Sequence, residues 1–434
     1  MPRIKYLATG ALALVIVAGA GAYLWAERHP AIAPIDPPDA AAFDDDLVER
    51  GRVLAAAANC ASCHTAASAR PYAGGRAMET PFGDVYATNI SPDVATGLGA
   101  WSEAAFRRAM HEGIRRDGQY LYPAFPFDHF TLIADDDISA LYAYFMTREP
   151  IEQEVPENGL PFPFTIRTLL AGWKLLFFEP GRFEPDPERD EEWNRGAYLA
   201  EALGHCGACH TPRNMLGALQ DDRKFAGARV EGWYAPGLGA ASPSPLPWSE
   251  FAMVNYLIDG WDRDHGIAAG PMMPVVNNLA ILPEDDIFAI AAYILSFQGD
   301  RDADRDAVMA FAEEREFESQ TIPDDALLDD PALRRGQQRF ARSCADCHRK
   351  IADTTLLALS SSVTAPDPLN LINVTIDGIR PPDGVPDKSM PRFGTMSDEE
   401  LADLVAFIRY HFTDLPPWDN IGESIATARA ALGN

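Results

Sequence analysis

All six cysteines of the chain fall in three strings of one pattern: Cys60-Ala61-Ser62-Cys63-His64, Cys206-Gly207-Ala208-Cys209-His210 and Cys344-Ala345-Asp346-Cys347-His348. On a helical turn, residues i and i+3 share a face, so both sulfurs can form thioethers to the vinyl groups of one haem while the adjacent imidazole reaches its iron. A disulfide framework would scatter its cysteines, and a thioredoxin-like pair would need a strand–helix–strand context that the sequence lacks. A zinc site needs four ligands, and no second cysteine pair lies near any of the strings. The pattern therefore predicts three covalently bound haem c groups. Cys60, Cys63, Cys206, Cys209, Cys344 and Cys347 attach them, and His64, His210 and His348 ligate iron.

The ligand opposite the histidine sets the use of the iron, and a methionine there raises the potential and favours electron transfer. It is expected in the loop before the last helix of each repeat. Met390, in Ser389-Met390-Pro391, fits for the third haem, while Met396 reads as core. For the second, Met272 is the expected ligand and Met273 the alternative. The first repeat has no methionine in its loop, Tyr122-Pro123-Ala124-Phe125-Pro126-Phe127-Asp128-His129, and Phe125 cannot ligate iron. His129 precedes Ile138 at an offset similar to that of Met390 before Leu401, so His129 is the expected ligand. Met110 and His111, on the helical stretch Trp101 to Arg115, or an iron left open, are the other readings.

The elements that must hold these groups repeat as well. Arg50-Gly51, Arg195-Gly196 and Arg335-Gly336 each stand a short step before a cysteine string. Each repeat closes on an acidic helix start (Asp135 to Asp137, Glu284 to Asp286, Asp398 to Glu400) that suits the positive N-terminal end of a helix. An apolar stripe at i, i+3, i+4, i+7 follows: Ile138/Leu141/Tyr142/Phe145, Ile287/Ile290/Ala291/Ile294 and Leu401/Leu404/Val405/Ile408. Strand patterns are scarce. The expectation is a mostly α chain with three tandem class I cytochrome c-like haem domains at 44–150, 192–299 and 331–416. Charged joints at Glu179–Glu192 and Asp300–Pro331 separate them.

Residues 1–26 read as a membrane segment. Arg3 and Lys5 precede an apolar run from Tyr6 to Trp25, about the ~20 residues that cross a bilayer, with the N-terminus on the cytoplasmic side. A cleaved signal peptide, cut near Ala18, Ala20 or Ala22, is the alternative. Either way the haem domains are exported, and with the anchor they belong to the periplasmic face of the inner membrane. The net charge of -28 excludes nucleic acid as a partner, because phosphates require Lys and Arg, and leaves docking to a basic protein open.

Thr88-Asn89-Ile90-Ser91-Pro92-Asp93, Leu121-Tyr122-Pro123-Ala124, Trp193 to Leu199 and above all Gly204 to Asn214 carry a resemblance over essentially all of the chain after the anchor. It resembles the three-haem cytochrome c subunits of bacterial membrane-bound dehydrogenases. The resemblance implies an electron-transfer subunit with no turnover of its own. It would take electrons from a periplasmic catalytic subunit, with or without an iron–sulfur subunit, and pass them to ubiquinone or a terminal oxidase. Phe125 in Tyr-Pro-Ala-Phe-Pro, followed by Asp-His-Phe, looks more like the branch paired with molybdenum hydroxylases of aldehydes or N-heterocycles such as nicotinate or isoquinoline. The alternative branches serve pyrroloquinoline quinone alcohol dehydrogenases or flavin sugar-acid dehydrogenases.

A haem enzyme of the peroxidase or nitrite reductase kind is the rival from another class, resting on the missing methionine of the first repeat. No Gly-x-Gly-x-x-Gly follows a strand, so flavin or nicotinamide binding is unsupported. The segment Ile166 to Phe178, apolar but for Arg167 and Lys174, reads either as a packing helix or as a helix lying in a membrane interface, in contact with quinone or a partner.

Overall fold

The computed structural model describes residues 21, 29–66, 70–320, 328–348, 355–380 and 389–432. Apart from Gly21, the anchor segment 1–26 lies outside the described residues, and among the described residues no helix is long and apolar enough to cross a membrane. The chain divides into two compact units, 1–184 and 185–434. Both are mostly helical, and the sheets among the described residues are two-stranded antiparallel hairpins: 77–80 with 83–86, 228–230 with 233–235 and 261–262 with 266–267.

One packing event occurs three times. An opening helix crosses a closing helix: Asp45–Ala57 on Asp135–Met146, Glu191–Tyr198 on Glu284–Leu295, and Pro331–Ser343 on Asp398–Phe412. The first crossing lies in the first unit and the other two in the second. The glycine of each Arg-Gly pair sits at the crossing point. A Cβ on Gly51, Gly196 or Gly336 would lie 2.0, 1.9 or 2.1 Å from the carbonyl oxygen of Ala140, Ala289 or Asp403. No side chain fits there, so only glycine lets the helices approach this closely.

The arginine beside each glycine ties the same two helices. Arg195 pairs bidentately with Asp286 at 2.7 and 2.8 Å, and Arg50 reaches Asp137 at 2.5 Å. In the third crossing Glu400 is taken by a capping box with Ser397, and Arg335 turns to Asp403. The acidic triplets predicted as helix starts do begin the closing helices. In the first two no side chain caps the N-terminus, so these carboxylates supply the charge complementing the helix dipole. Every residue of the three predicted stripes is buried.

Between opening and closing helices lies a middle helix: Glu103–Glu112, Glu250–Asp259 or Leu369–Asp377. Each ends at a glycine with positive φ, Gly113, Gly260 or Gly378. That glycine turns the chain into a short antiparallel bridge, Ile114 with Tyr120, Asp262 with Gly266 or Ile379 with Met390. Within the second unit, Asn370 exchanges hydrogen bonds with the Tyr234 backbone at 2.9 and 2.7 Å, and Arg229 meets Asp367 at 2.5 Å. The charged stretch read as a joint, Asp300–Pro331, includes a helix at Arg305–Gln320 that packs on the third closing helix.

Substituting Gly196→Ala should push the second crossing apart. Overpacking costs about 1–3 kcal/mol, more than the ~1 kcal/mol alanine normally gains in a helix. The expected result, read by thermal unfolding of holo-protein, is a net loss; an unchanged or raised midpoint would refute the contact.

Glu316, on the helix Arg305–Gln320, is buried, and its carboxylate meets no donor in hydrogen-bonding geometry, although the Leu357 amide lies near. Burial pushes it up to about 7 from an ordinary 4.5. The native state therefore holds the proton at pH values where the unfolded chain has lost it, and stability falls as pH rises from 4.5 to 7. Glu316→Gln should stabilise at pH 8, by at most about 3 kcal/mol, and the gain should vanish near pH 4. An equal effect at both pH values in denaturant titrations would show that Glu316 is not buried in the neutral form.

Candidate haem sites

The opening helix does not run straight into the cysteines. In the first site Asn59 takes a left-handed conformation (φ 52°), and in the second His205 does the same (φ 38°) after a π turn at Leu199–Leu203. The helical axis breaks there, and Cys60–His64 and Gly207–His210 form separate short helical segments. In the third site Cys344 itself ends the opening helix, and the amides of Cys347 and His348 donate to its carbonyl at 3.2 and 3.1 Å.

The first two sites share one frame. The His64 Nδ1–H donates to the Thr88 carbonyl at 2.6 Å, and the His210 Nδ1–H to the Pro236 carbonyl at 2.6 Å. A carbonyl can only accept, so Nδ1 carries the proton in both rings and Nε2 keeps its lone pair, the tautomer a metal-binding imidazole requires. The carbonyls of His64 and His210 in turn accept from the Gly74 and Gly227 amides, each at 2.8 Å. Thr65 and Thr211 accept through their hydroxyls from Tyr72 and Phe225 at 3.1 and 3.0 Å. Burial lowers the basicity of both imidazoles, which keeps them neutral. In the third site His348 is also lowered by burial, and its Nδ1 has no hydrogen-bond partner among the described residues.

Cysteine chemistry fits thioether attachment better than thiolate work. Burial pushes Cys60 and Cys206 up to about 12 and Cys344 up to about 11. A redox or zinc-binding cysteine needs the opposite shift. Among the described residues no cluster of three His, Cys, Asp or Glu is placed to hold a metal ion by itself. The sites therefore fit a haem held by two thioethers and one imidazole.

The expected distal ligands sit in different local settings. Met272 begins the helix Met272–Leu279 with Met273 beside it, and both are half-buried. Met390, half-buried, is held by backbone hydrogen bonds to Ile379 of 2.9 and 3.0 Å, while Met396 is part of the third core. In the first repeat Phe125 packs on Phe130 at 5.3 Å, and His129 is buried in the short helix Phe127–Phe130. His111 is buried on its middle helix with Nε2–H on the Ile133 carbonyl at 3.0 Å. Burial lowers it to about 4, so it is neutral. That hydrogen bond leaves only Nδ1 with a lone pair, and it lies 3.7 Å from Asp135.

Two features went unread in the sequence. His265 is buried, stacks on Trp248 at 3.8 Å and directs Nδ1 to Asp262 at 2.6 Å. Near the second haem turn, Glu201 binds Lys224 at 2.8 Å and accepts from the Tyr293 hydroxyl at 2.6 Å. A lone histidine in a hairpin and a glutamate inside an apolar stretch carry no spacing signal. The glycine that ends each middle helix did offer one.

C-x-x-C-H turns whose imidazoles are held, in the first two sites, by a backbone carbonyl have the attachment geometry of a cytochrome c. The cytochrome c family model matches residues 48–149, and the model of subunit III of cbb3-type cytochrome c oxidase matches residues 331–408. The gluconate 2-dehydrogenase cytochrome c subunit of Pantoea cypripedii is 36% identical over 409 residues, covering 89% of both chains. The fructose dehydrogenase cytochrome subunit of Gluconobacter japonicus is 33% identical, over 87% of this chain and 82% of its own. A nicotinate dehydrogenase subunit of Pseudomonas putida is 43% identical over 412 residues, 93% of this chain; the chain spans 33% of that relative's length. The chain belongs to the cytochrome c subunits of dehydrogenases. It is an electron-transfer subunit with covalently bound haem c, not a catalytic one.

Proposed function

We propose that the chain is the three-haem electron-transfer subunit of an inner-membrane dehydrogenase, with domains at 44–150, 192–299 and 331–416 facing the periplasm behind an N-terminal anchor at 1–26. The observation that carries this reading is the glycine crossing, which recurs before each of the three C-x-x-C-H strings. Haem bound there supplies one reversible electron per iron. The chain's own residues attach it and, in the first two sites, fix the proximal imidazole through a backbone carbonyl. Met272 and Met390 are the proposed distal ligands of the second and third haems, with Met273 the alternative to Met272, and His129 is that of the first. His111 is disfavoured because its Nε2 is engaged by Ile133.

The catalytic partner in this reading is a molybdenum hydroxylase acting on an N-heterocycle or aldehyde, and ubiquinone or a terminal oxidase takes the electrons. Its support is the relative named as a nicotinate dehydrogenase subunit, at 43% identity. A second reading has an observation of its own: the gluconate and fructose dehydrogenase cytochrome subunits match over more than four-fifths of their length. Metal and cofactor analysis of the complex purified through this chain separates the two. Molybdenum is expected; pyrroloquinoline quinone or flavin without molybdenum would overturn the first reading.

A pyridine haemochrome assay on mature protein should return three haems per chain, and Cys344→Ala should damage only the third attachment. Two haems in the unaltered protein would defeat the three-domain reading. His129→Ala should convert one ferric haem from low to high spin and move the lowest-potential wave, because imidazole in place of thioether lowers the potential. If all three haems stay low-spin and no wave moves, His129 is not the ligand.

A further inference from the structure

The helix Leu170–Phe177, with the turn Arg167–Leu169 before it, is packed the wrong way round for water. Its cations point inward. Lys174 reaches the Glu112 carbonyl and lies over the rings of Phe178, Tyr120 and Phe127 at 4.9, 5.3 and 5.5 Å. Arg167 donates to the Tyr120 carbonyl at 2.9 Å and covers the Tyr122 ring at 4.4 Å. The large apolar side chains point outward: Phe162, Leu175 and Leu176 are 81, 73 and 69% exposed, and Phe164, Ile166 and Leu169 are exposed beside them. Six of the fifteen exposed large hydrophobics among the described residues thus fall within 162–176. A surface helix of a protein bathed in water shows the reverse, and a cluster of this kind marks a surface that something covers.

The chain itself indicates what covers it. His29 Nε2 lies 3.0 Å from the Tyr120 hydroxyl, with the two rings edge to face at 5.2 Å. Arg108 donates to the Pro30 carbonyl at 2.8 Å, and the Ile32 amide to the Arg116 carbonyl at 2.8 Å. The chain is therefore fastened at His29 to the same hairpin, Ile114 to Tyr120, that Arg167 and Lys174 grip. Trp25, the end of the apolar run, is four residues earlier, a reach of at most ~14 Å. An anchor leaving the bilayer at Trp25 therefore holds His29 within that distance of the lipid, and with it the hairpin to which both His29 and the helix are fastened.

We propose that the outward face formed by Phe162, Phe164, Ile166, Leu169, Leu175 and Leu176 lies in the phospholipid interface of the membrane that holds the anchor. This rests on the anchor reading above. Both cations are spent inside the protein, so contact is driven by apolar burial and is insensitive to salt and to anionic lipid. It also places the first haem site on the membrane side, because Phe127, from the helix that carries His129, packs on Trp173 at 6.1 Å.

The test uses the full-length holo-protein in phosphatidylcholine vesicles with and without phosphatidylglycerol. A nitroxide is attached at Leu175→Cys, with Val94→Cys, exposed elsewhere on the same unit, as the control. The unchanged haem spectrum checks folding. Collision with oxygen should exceed collision with a water-soluble nickel chelate several-fold at position 175, and the order should reverse at 94. Position 175 behaving like position 94 overturns the proposal, and so does shielding that appears only when the catalytic subunit is added, which would make the face a protein interface. Alkaline carbonate extraction reports on the anchor separately. A retained chain with position 175 in water sinks the helix proposal and leaves the anchor; an extracted chain with position 175 in lipid sinks the anchor and leaves the helix.

Discussion

The close approach of an opening and a closing helix at a glycine is the constraint from which the rest follows. With the Cβ of Gly51, Gly196 or Gly336 absent, a carbonyl of the facing helix occupies its place. The gap admits neither water nor a side chain, so the angle and depth of the crossing are fixed by backbone contact. Rotamers, which adapt, play no part in it. The residue four positions further along the closing helix, Tyr144, Tyr293 or Phe407, presents its Cβ to the same glycine. The arginine beside the glycine adds an ion pair with a buried or nearly buried carboxylate. Its own side chain is half in water, so its contribution is to orientation more than to stability.

That crossing determines where the cysteine turn can begin. An opening helix continued without interruption would carry its cysteines round the axis, so the left-handed residue at Asn59 or His205 breaks it and re-aims the short turn that follows. The strained backbone, rare outside glycine and asparagine, is held by the packed helix behind and the loop in front. The loop then returns a carbonyl, Thr88 or Pro236, to the imidazole of that turn. In the first site the same stretch is pinned by Asn89 and Ser91 to Ile151, beyond the closing helix. Imidazole orientation is thereby coupled to the crossing through a chain of hydrogen bonds.

What was legible in the sequence was what repeats in side-chain type: the C-x-x-C-H strings, the Arg-Gly pairs, the acidic helix starts and the apolar stripes. Each of these calls for a particular side chain, or for none, at a fixed place. What was not legible is carried by backbone atoms. The carbonyls of Thr88, Pro236 and Ile133 leave no mark on residue type, so neither the proximal tautomer nor the engagement of His111 could be read. The inverted helix at Leu170–Phe177 shows the same limit. Its composition suggested an amphipathic segment, but only the structure shows that Arg167 and Lys174 belong to the inner face. The helix Arg305–Gln320 was hidden by its charge, since a largely polar segment reads as a joint until its few buried contacts are known.

The three copies differ most where the frame has least hold. After each glycine-capped middle helix comes a short bridge, and beside it a loop sequence: Tyr-Pro-Ala-Phe-Pro in the first copy, Gly-Pro-Met-Met-Pro leading into a helix in the second, and Ser-Met-Pro, whose Met390 closes the bridge, in the third. Neither the helix crossing nor the proximal hydrogen bond uses a residue of these loops. In the ligation proposed above, a change of distal ligand would leave both of these contacts intact, and the potential of one haem would shift without that of its neighbours. A single-domain carrier would have to tune its potential within one frame. A chain that repeats the frame and varies the loop can set a gradient, and the copy that departs from methionine is the one whose distal loop packs on the inverted helix.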